Sequence, residues 1–289
     1  MADPDPEPAE NISGGAAGGG HATTFVAAEE PATRAEAVVD RLGELYWQKT
    51  YGGQPAFACL VRTVLSQNTG DVGSQAAHDA LLERYGDGDG EPADRSVRTD
   101  GNADLAAALA TAEPDALADT IAEAGLHNQK AERLVAIAED VVATFDGAGG
   151  FDEFVKSEPP DAVRERLLSW TGIGPKTADC VLLFAGGREG VFPVDTHVHR
   201  IYRRLGVAPP DADHERIREV LERDVPAEKC GFGHTASIQF GREYCTARRP
   251  ACLDGPEACP LADLCDRVGV DAERGEVVDP AEAAADDGR

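Results

Sequence analysis

At 289 residues, 42% of them hydrophobic, the chain is long enough for one large or two medium domains with a buried core. No apolar run approaches the ~20 residues of a membrane helix, which excludes a protein with helical spans. The balance of 53 acidic against 27 basic residues gives a formal net charge of −26, which on its own disfavours nucleic acid as a partner, so any DNA-directed function has to rest on local motifs.

The acids are spread along the whole chain, and only Lys49, Lys130, Lys156, Lys176 and Lys229 are lysines. That pattern predicts a halophile-like surface, solvated in concentrated salt, rather than an acidic patch for one partner.

In chain order, residues 1–30 lack the basic and apolar regions of a signal peptide and predict a disordered acidic tail. A first amphipathic helix follows in ATRAEAVVDRLGELYWQ. Helical periodicity recurs in PAFACLVRTVLSQ, LVAIAEDVVATF, AVRERLLSW, KTADCVLLFA, DTHVHRIYRRLG and HERIREVLERDV. No alternating β-branched runs predict strands. Residues 86–104, acidic, glycine-rich and aperiodic, read as a solvated loop insertion, and residues 271–289 as a second disordered acidic tail.

The stretch DAVRERLLSWTGIGPKTADCVLLFA predicts a helix, a tight glycine turn and a second helix with Pro175 at its first position. Backbone N–H groups of Gly172, Ile173 and Gly174 at such a turn hold a phosphate without reading a base; the plain alternative is an ordinary αα-hairpin. Lys176 falls in the first helical turn, where the helix dipole and partial desolvation disfavour its charged form and so lower its pKa. A neutral amine there is a nucleophile, with phosphate binding as the alternative role. Asp195, 19 residues on, reads as the N-cap of the next helix, yet its carboxylate also suits a lysine nucleophile as a partner. His197, His199, Arg200, Arg203 and Arg204 then make the densest basic stretch of the chain. His197 and Arg200 are therefore expected DNA contacts, against the alternative of a solvated face paired with nearby acids.

Cys245, Cys252, Cys259 and Cys265 follow as C-x6-C-x6-C-x5-C, whereas Cys59 and Cys180 lie on apolar helical stretches as buried small hydrophobes and Cys230 has no assigned role. Clustered cysteines without a secretory signal favour metal over disulfides. Spacing alone leaves zinc and an iron–sulfur cluster both open.

LLSWTGIGPKTADCVLLF followed by VFPVDTHVHRIYRRLG resembles the endonuclease III-type, helix–hairpin–helix Gly-Pro-Asp DNA glycosylases, and the resemblance takes in PAFACLVRTVLSQNTGD, AGLHNQKAERL and the cysteines, roughly residues 34–268. It implies an all-α fold of two helical domains with the active site in the cleft between them. The first is a six-helix barrel-like domain over residues 51–188, and the second joins residues 31–50 to an iron–sulfur domain at 189–270. It implies a [4Fe–4S] cluster on the four clustered cysteines, although the family's middle spacing is two residues and here is six, a surface loop extension.

It also implies a monomeric, cytoplasmic and nucleoid-associated enzyme on double-stranded DNA with damaged bases or abasic sites. Lys176 would attack C1′ and Asp195 assist, removing oxidised pyrimidines and nicking by β-elimination. Gln67 would fill the gap left by the extruded base, and Leu126 would wedge the opposite strand; their plain readings are a polar helix end and a core leucine. The alternatives are a monofunctional adenine or thymine mismatch glycosylase, which would lack the lysine, and a non-catalytic DNA-binding or redox-sensing module.

Overall fold

A computed structural model describes residues 21–25, 30–86 and 104–287, so most of the expected N-terminal tail and residues 87–103 of the expected insertion lie outside the described residues. Strand β1 (His21–Ala22) pairs antiparallel with β2 (Lys49–Thr50) on either side of helix α1 (Arg34–Leu45). The start of α1 is written in its sequence: Thr33 Oγ1 accepts the Glu36 N–H at 3.0 Å, and the Glu36 carboxylate turns back to the Ala32 N–H at 2.9 Å, closely a capping box.

Residues 52–188 form one compact unit, whose described residues make eight helices: α2 (Ala56–Ser66), α3 (Asp71–Tyr85), α4 (Leu105–Ala110), α5 (Pro114–Thr120), α6 (His127–Phe145), α7 (Ala148–Ser157), α8 (Pro160–Leu168) and α9 (Pro175–Phe184). Of these, α2, α6, α8 and α9 fall in the stretches whose periodicity is visible in the sequence. Eight of the eleven residues of α2 are buried, among them Phe57, Leu60, Val61 and Val64, because α2 packs against α3, α6, α7 and α9 at once. Asp104, at the end of the undescribed segment, caps α4 by accepting the Ala106 and Ala107 N–H groups.

The other unit joins the N-terminal elements to α10 (Thr196–Arg204), α11 (His214–Asp224), α12 (Ala227–Glu243), three single-turn 3-10 helices between Ala251 and Leu264, a hairpin of β3 (Val270–Asp271) and β4 (Glu276–Val277), and α13 (Pro280–Asp287). Its core brings Val38, Val39 and Leu42 of α1 against Val198 and Ile201 of α10 and Phe232 and Phe240 of α12. Gly233 makes that approach feasible, since a Cβ there would stand 2.7 Å from the Phe192 ring and 3.0 Å from Val39.

The described residues are all-α apart from these two-residue strand pairs. The expected disordered C-terminal tail is corrected over residues 271–287. Asp271 accepts the Glu273 and Arg274 N–H groups to form the turn, Gly275 takes a left-handed φ of +67°, and Asp279 both caps α13 and pairs with Arg203. Aspartates counted as solvating charge are turn and cap residues instead.

Candidate active site and metal centre

Helices α8 and α9 meet through a turn in which Gly172 adopts φ +87° and Gly174 precedes Pro175 in extended backbone. The hairpin is braced from three sides. Asp179, 2% exposed, accepts from Arg164 Nε at 2.8 Å, an ion pair that ties α9 to α8. Trp170 Nε1 donates to Asp140 of α6 at 2.8 Å, and Arg166, stacked over the Trp170 ring, pairs with the same carboxylate. From the α2 side, Gln67 Nε2 donates to Gly172 O and Thr177 Oγ1, both at 3.1 Å.

Lys176 is the second residue of α9 and half-buried. Burial, with Cys180 next, pushes the Cys59 thiol up to about 12, and the Lys176 charge is among the neighbours opposing that shift. The amine is therefore close enough to the α2 face to be felt there. Cys59 and Cys180 are buried, as their apolar settings predict.

Of the expected phosphate ligands, Ile173 is corrected: its N–H donates to Trp170 O at 3.1 Å, and its side chain is 6% exposed. The turn needs that bond to close, which leaves the glycines as the amides bordering the outside. Arg133 of α6 was missed in the sequence. Its guanidinium carbon would lie 3.1 Å from a Cβ on Gly172, so it supplies positive charge at the hairpin itself. One turn beyond Lys130 on α6, it was legible as an i, i+3 neighbour.

Gln67, half-buried, donates its amide N–H groups to the hairpin. The next residue, Asn68, is exposed and left-handed at φ 51°, a conformation asparagine tolerates. Leu126 is 52% exposed and also left-handed, at φ 61°, as the N-cap of α6. A core leucine would be neither. For this residue type the conformation costs about 1–2 kcal/mol, the kind of strain that collects at functional positions. The two turns touch, since a Cβ on Gly125 would meet Asn68 O at 3.1 Å.

In the other unit, Asp195 is the N-cap of α10 and accepts the His197 and Val198 N–H groups, both at 2.9 Å, through Oδ1, so Oδ2 is the oxygen the cap does not use. The basic strip expected on α10 is corrected. Arg200 donates to Cys245 O and Gly241 O, and its NH2 group lies 3.1 Å from His197 Nδ1. Arg203 binds Pro210 O and Asp279, and Arg204 binds Thr246 O and Ala247 O. The carbonyls ending α12 and the loop beyond it draw Arg200 and Arg204 inward, as the negative end of a helix does. Burial also holds the His197 ring below its ordinary pKa, and the ring faces Gly241.

Those arginines frame the cysteines. Cys245, Cys252, Cys259 and Cys265 line one cavity, walled by Ile201, Leu205, Phe240 and Leu261. The six residues between Cys252 and Cys259 make two 3-10 turns hinged at Gly255 (φ +125°), with Asp254, Pro256 and Glu257 exposed, so the extension loops over the surface. Arg204 reaches Cys245 Sγ at 3.6 Å, the Arg267 N–H reaches Cys265 Sγ at 3.3 Å, and the buried Arg204 Nε has no hydrogen-bond partner among the described residues.

Burial raises the thiols of Cys252 and Cys259 and pushes Cys265 up to about 11, so thiolates in this cavity call for a cationic partner. Four thiols around a shared cavity supply the donor set of an iron–sulfur cluster, in which each holds its own iron.

The sequence matches the HhH-GPD superfamily base excision DNA repair protein over residues 61–227 and the iron–sulfur binding domain of endonuclease III over residues 245–265. It is 34% identical to the endonuclease III of Thermotoga maritima over 210 residues, 73% of this chain and 82% of the relative. Its fold is similar to that of an endonuclease III–DNA covalent intermediate (TM-score 0.63, 23% identity, 84% of this chain and 98% of the other) and of a thermostable thymine-DNA glycosylase (TM-score 0.62, 19% identity, 81% and 96%).

Proposed function

The chain belongs to the HhH-GPD superfamily of base excision DNA repair proteins, and from that premise we propose that oxidised pyrimidines in duplex DNA are its main substrates and Lys176 its nucleophile. It is a bifunctional DNA glycosylase and AP lyase of base excision repair. The reading of the site rests on one observation above all: a half-buried lysine on the first turn of α9, directly after a left-handed glycine turn that α2 and α6 brace.

The damaged nucleotide leaves the stack, since C1′ is out of reach inside the duplex. Asp195 takes the proton of the Lys176 ammonium, and the neutral Nζ attacks C1′ as the C1′–N bond to the base breaks. Opening of the sugar at O4′ gives the Schiff base. Loss of a C2′ proton then expels the 3′ phosphate oxygen, and water releases the lysine from the product. Asp195 also stabilises positive charge developing on the sugar. Amides of Gly172 and Gly174, with Arg133, hold the backbone, while Leu126 wedges the opposite strand.

The protein carries a [4Fe–4S] cluster. We assign its ligands to Cys245, Cys252, Cys259 and Cys265; the cluster supplies a rigid covalent centre for the loop that follows α12. Cys252→Ala is expected to give a preparation without the broad visible absorption of a four-iron cluster, and unchanged absorption would refute the assignment.

No helix among the described residues is long and apolar enough to cross a membrane, and we place the enzyme inside the cell, at the nucleoid, as a monomer. Borohydride trapping on abasic duplex in concentrated KCl tests the chemistry. A covalent adduct is expected, and its absence would favour the monofunctional alternative, in which a carboxylate activates water. A lesion panel under the same conditions checks the preference for oxidised pyrimidines.

A further inference from the structure

Lys130 is one of the most buried residues of the chain, 1% exposed, and takes no part in the chemistry above. Its Nζ donates to Leu65 O at 2.8 Å, Gln67 O at 2.7 Å and Thr69 Oγ1 at 2.8 Å. All three N–H bonds of the ammonium are thus taken, and all by neutral oxygens. Burial, with Arg133 second, holds its pKa below the ordinary lysine value. A buried cation without a carboxylate is an expensive way to fill space, and in a chain with five lysines against 22 arginines the choice is specific. Three converging acceptors suit a compact ammonium, whereas the planar fork of arginine cannot serve them.

We infer that Lys130 is a positioning residue that clips the wedge of α6 to the turn after α2 and so sets how Leu126 and Asn68 enter the duplex. The same residue works from both ends. Its backbone N–H donates to Leu126 O at 3.0 Å, closing the first turn that Leu126 caps, while its side chain holds the residues on either side of Asn68. Gly125 lets the two turns approach, and Gln67 carries the connection on to Gly172 and Thr177 of the hairpin. The wedge, the Asn68 turn and the hairpin are therefore one hydrogen-bonded assembly with Lys130 at its centre.

The inference rests on the glycosylase reading, and its test separates the two. Lys130→Met, and the milder Thr69→Val that removes one acceptor, are assayed on a lesion-bearing duplex and on a single-stranded oligonucleotide with an abasic site, each variant with its melting curve. A misplaced wedge matters only where a nucleotide must be extruded. For Lys130→Met, kcat/KM on duplex is expected to fall about 100-fold, the scale of a misplacement near 1 Å, while the rate of borohydride trapping on the single strand stays at the wild-type value. Thr69→Val shows a smaller loss with the same duplex selectivity.

Equal losses on both substrates in a variant that still melts cooperatively, or no loss on duplex, would overturn the inference. If Lys130→Met does not melt cooperatively, the Thr69→Val ratio decides by the same criterion. Wild-type protein that traps on neither substrate overturns the lyase reading instead. Extrusion is then read from the fluorescence of 2-aminopurine beside the lesion, which Lys130→Met must still lower.

Discussion

Lys176→Gln is expected to abolish borohydride trapping and to lower strand cleavage by a factor on the order of 10^4 or more, the scale on which enzymes lose a covalent nucleophile. Glutamine keeps a polar, unbranched side chain, one bond shorter, and the helix it starts, since Pro175 at the first position and Gly174 before it form the N-terminus of α9 without help from residue 176. DNA binding therefore survives the change. The competing role, a lysine that only neutralises a phosphate, predicts the reverse: weaker binding, a salt slope reduced by about one, and intact cleavage once DNA is saturating. Lys176→Arg sharpens the comparison, because it retains the cation and lacks an amine that can form an imine. Cleavage by Lys176→Arg at a tenth of the wild-type rate or better would sink the nucleophile assignment.

Why this lysine was legible from the sequence, and others were not, follows from what each is bound to. Lys176 announces itself through local chemistry: a cation where the helix dipole disfavours one, next to a glycine turn. Lys229 and Lys130 sit on amphipathic helices as unremarkable letters. Only the fold brings Glu36 and Asp40 of α1 to Lys229, and the end of α2 to Lys130, from partners 61 or more residues away.

The α10 arginines fail for the same reason. Their density and spacing are visible in DTHVHRIYRRLG, but the carbonyls that bind Arg200 and Arg204 lie more than 40 residues on, at Cys245, Thr246 and Ala247, and the carboxylate that pairs with Arg203 is Asp279. The hairpin contacts of Gln67 are equally out of reach of local reading, since its acceptors are 105 and 110 residues away. Helices and their caps, by contrast, are set within four residues, which is why the α1 and α10 starts are readable. The C-terminal hairpin is the instructive middle case. Its Asp271 turn is local and could have been read, but a run of acids in an acidic chain looked like solvation.

Asp195→Asn is the substitution that separates the two roles a single residue holds at the start of α10. Asparagine is as good an N-cap as aspartate, and its side-chain oxygen accepts the His197 and Val198 N–H groups as Oδ1 does now. The loss of charge at the positive end of the helix costs only about 0.3–1 kcal/mol, so the denaturation midpoint is expected to move little. What disappears is a group able to take a proton from the Lys176 ammonium and to face positive charge on the sugar, and the rate of Schiff-base formation should fall by roughly 10^2 to 10^4. Asp195→Ala removes the cap as well, adding about 1 kcal/mol of destabilisation to the same kinetic loss. In a chain of net charge −26, deleting a carboxylate cannot weaken attraction to a polyanion, so DNA affinity at fixed salt should hold or rise in both variants. Single-turnover trapping rates and urea denaturation of the two variants, set beside the wild type, carry the test. An Asp195→Asn enzyme that traps at the wild-type rate would show that the carboxylate only caps the helix, and the proton acceptor for Lys176 would then have to be sought elsewhere.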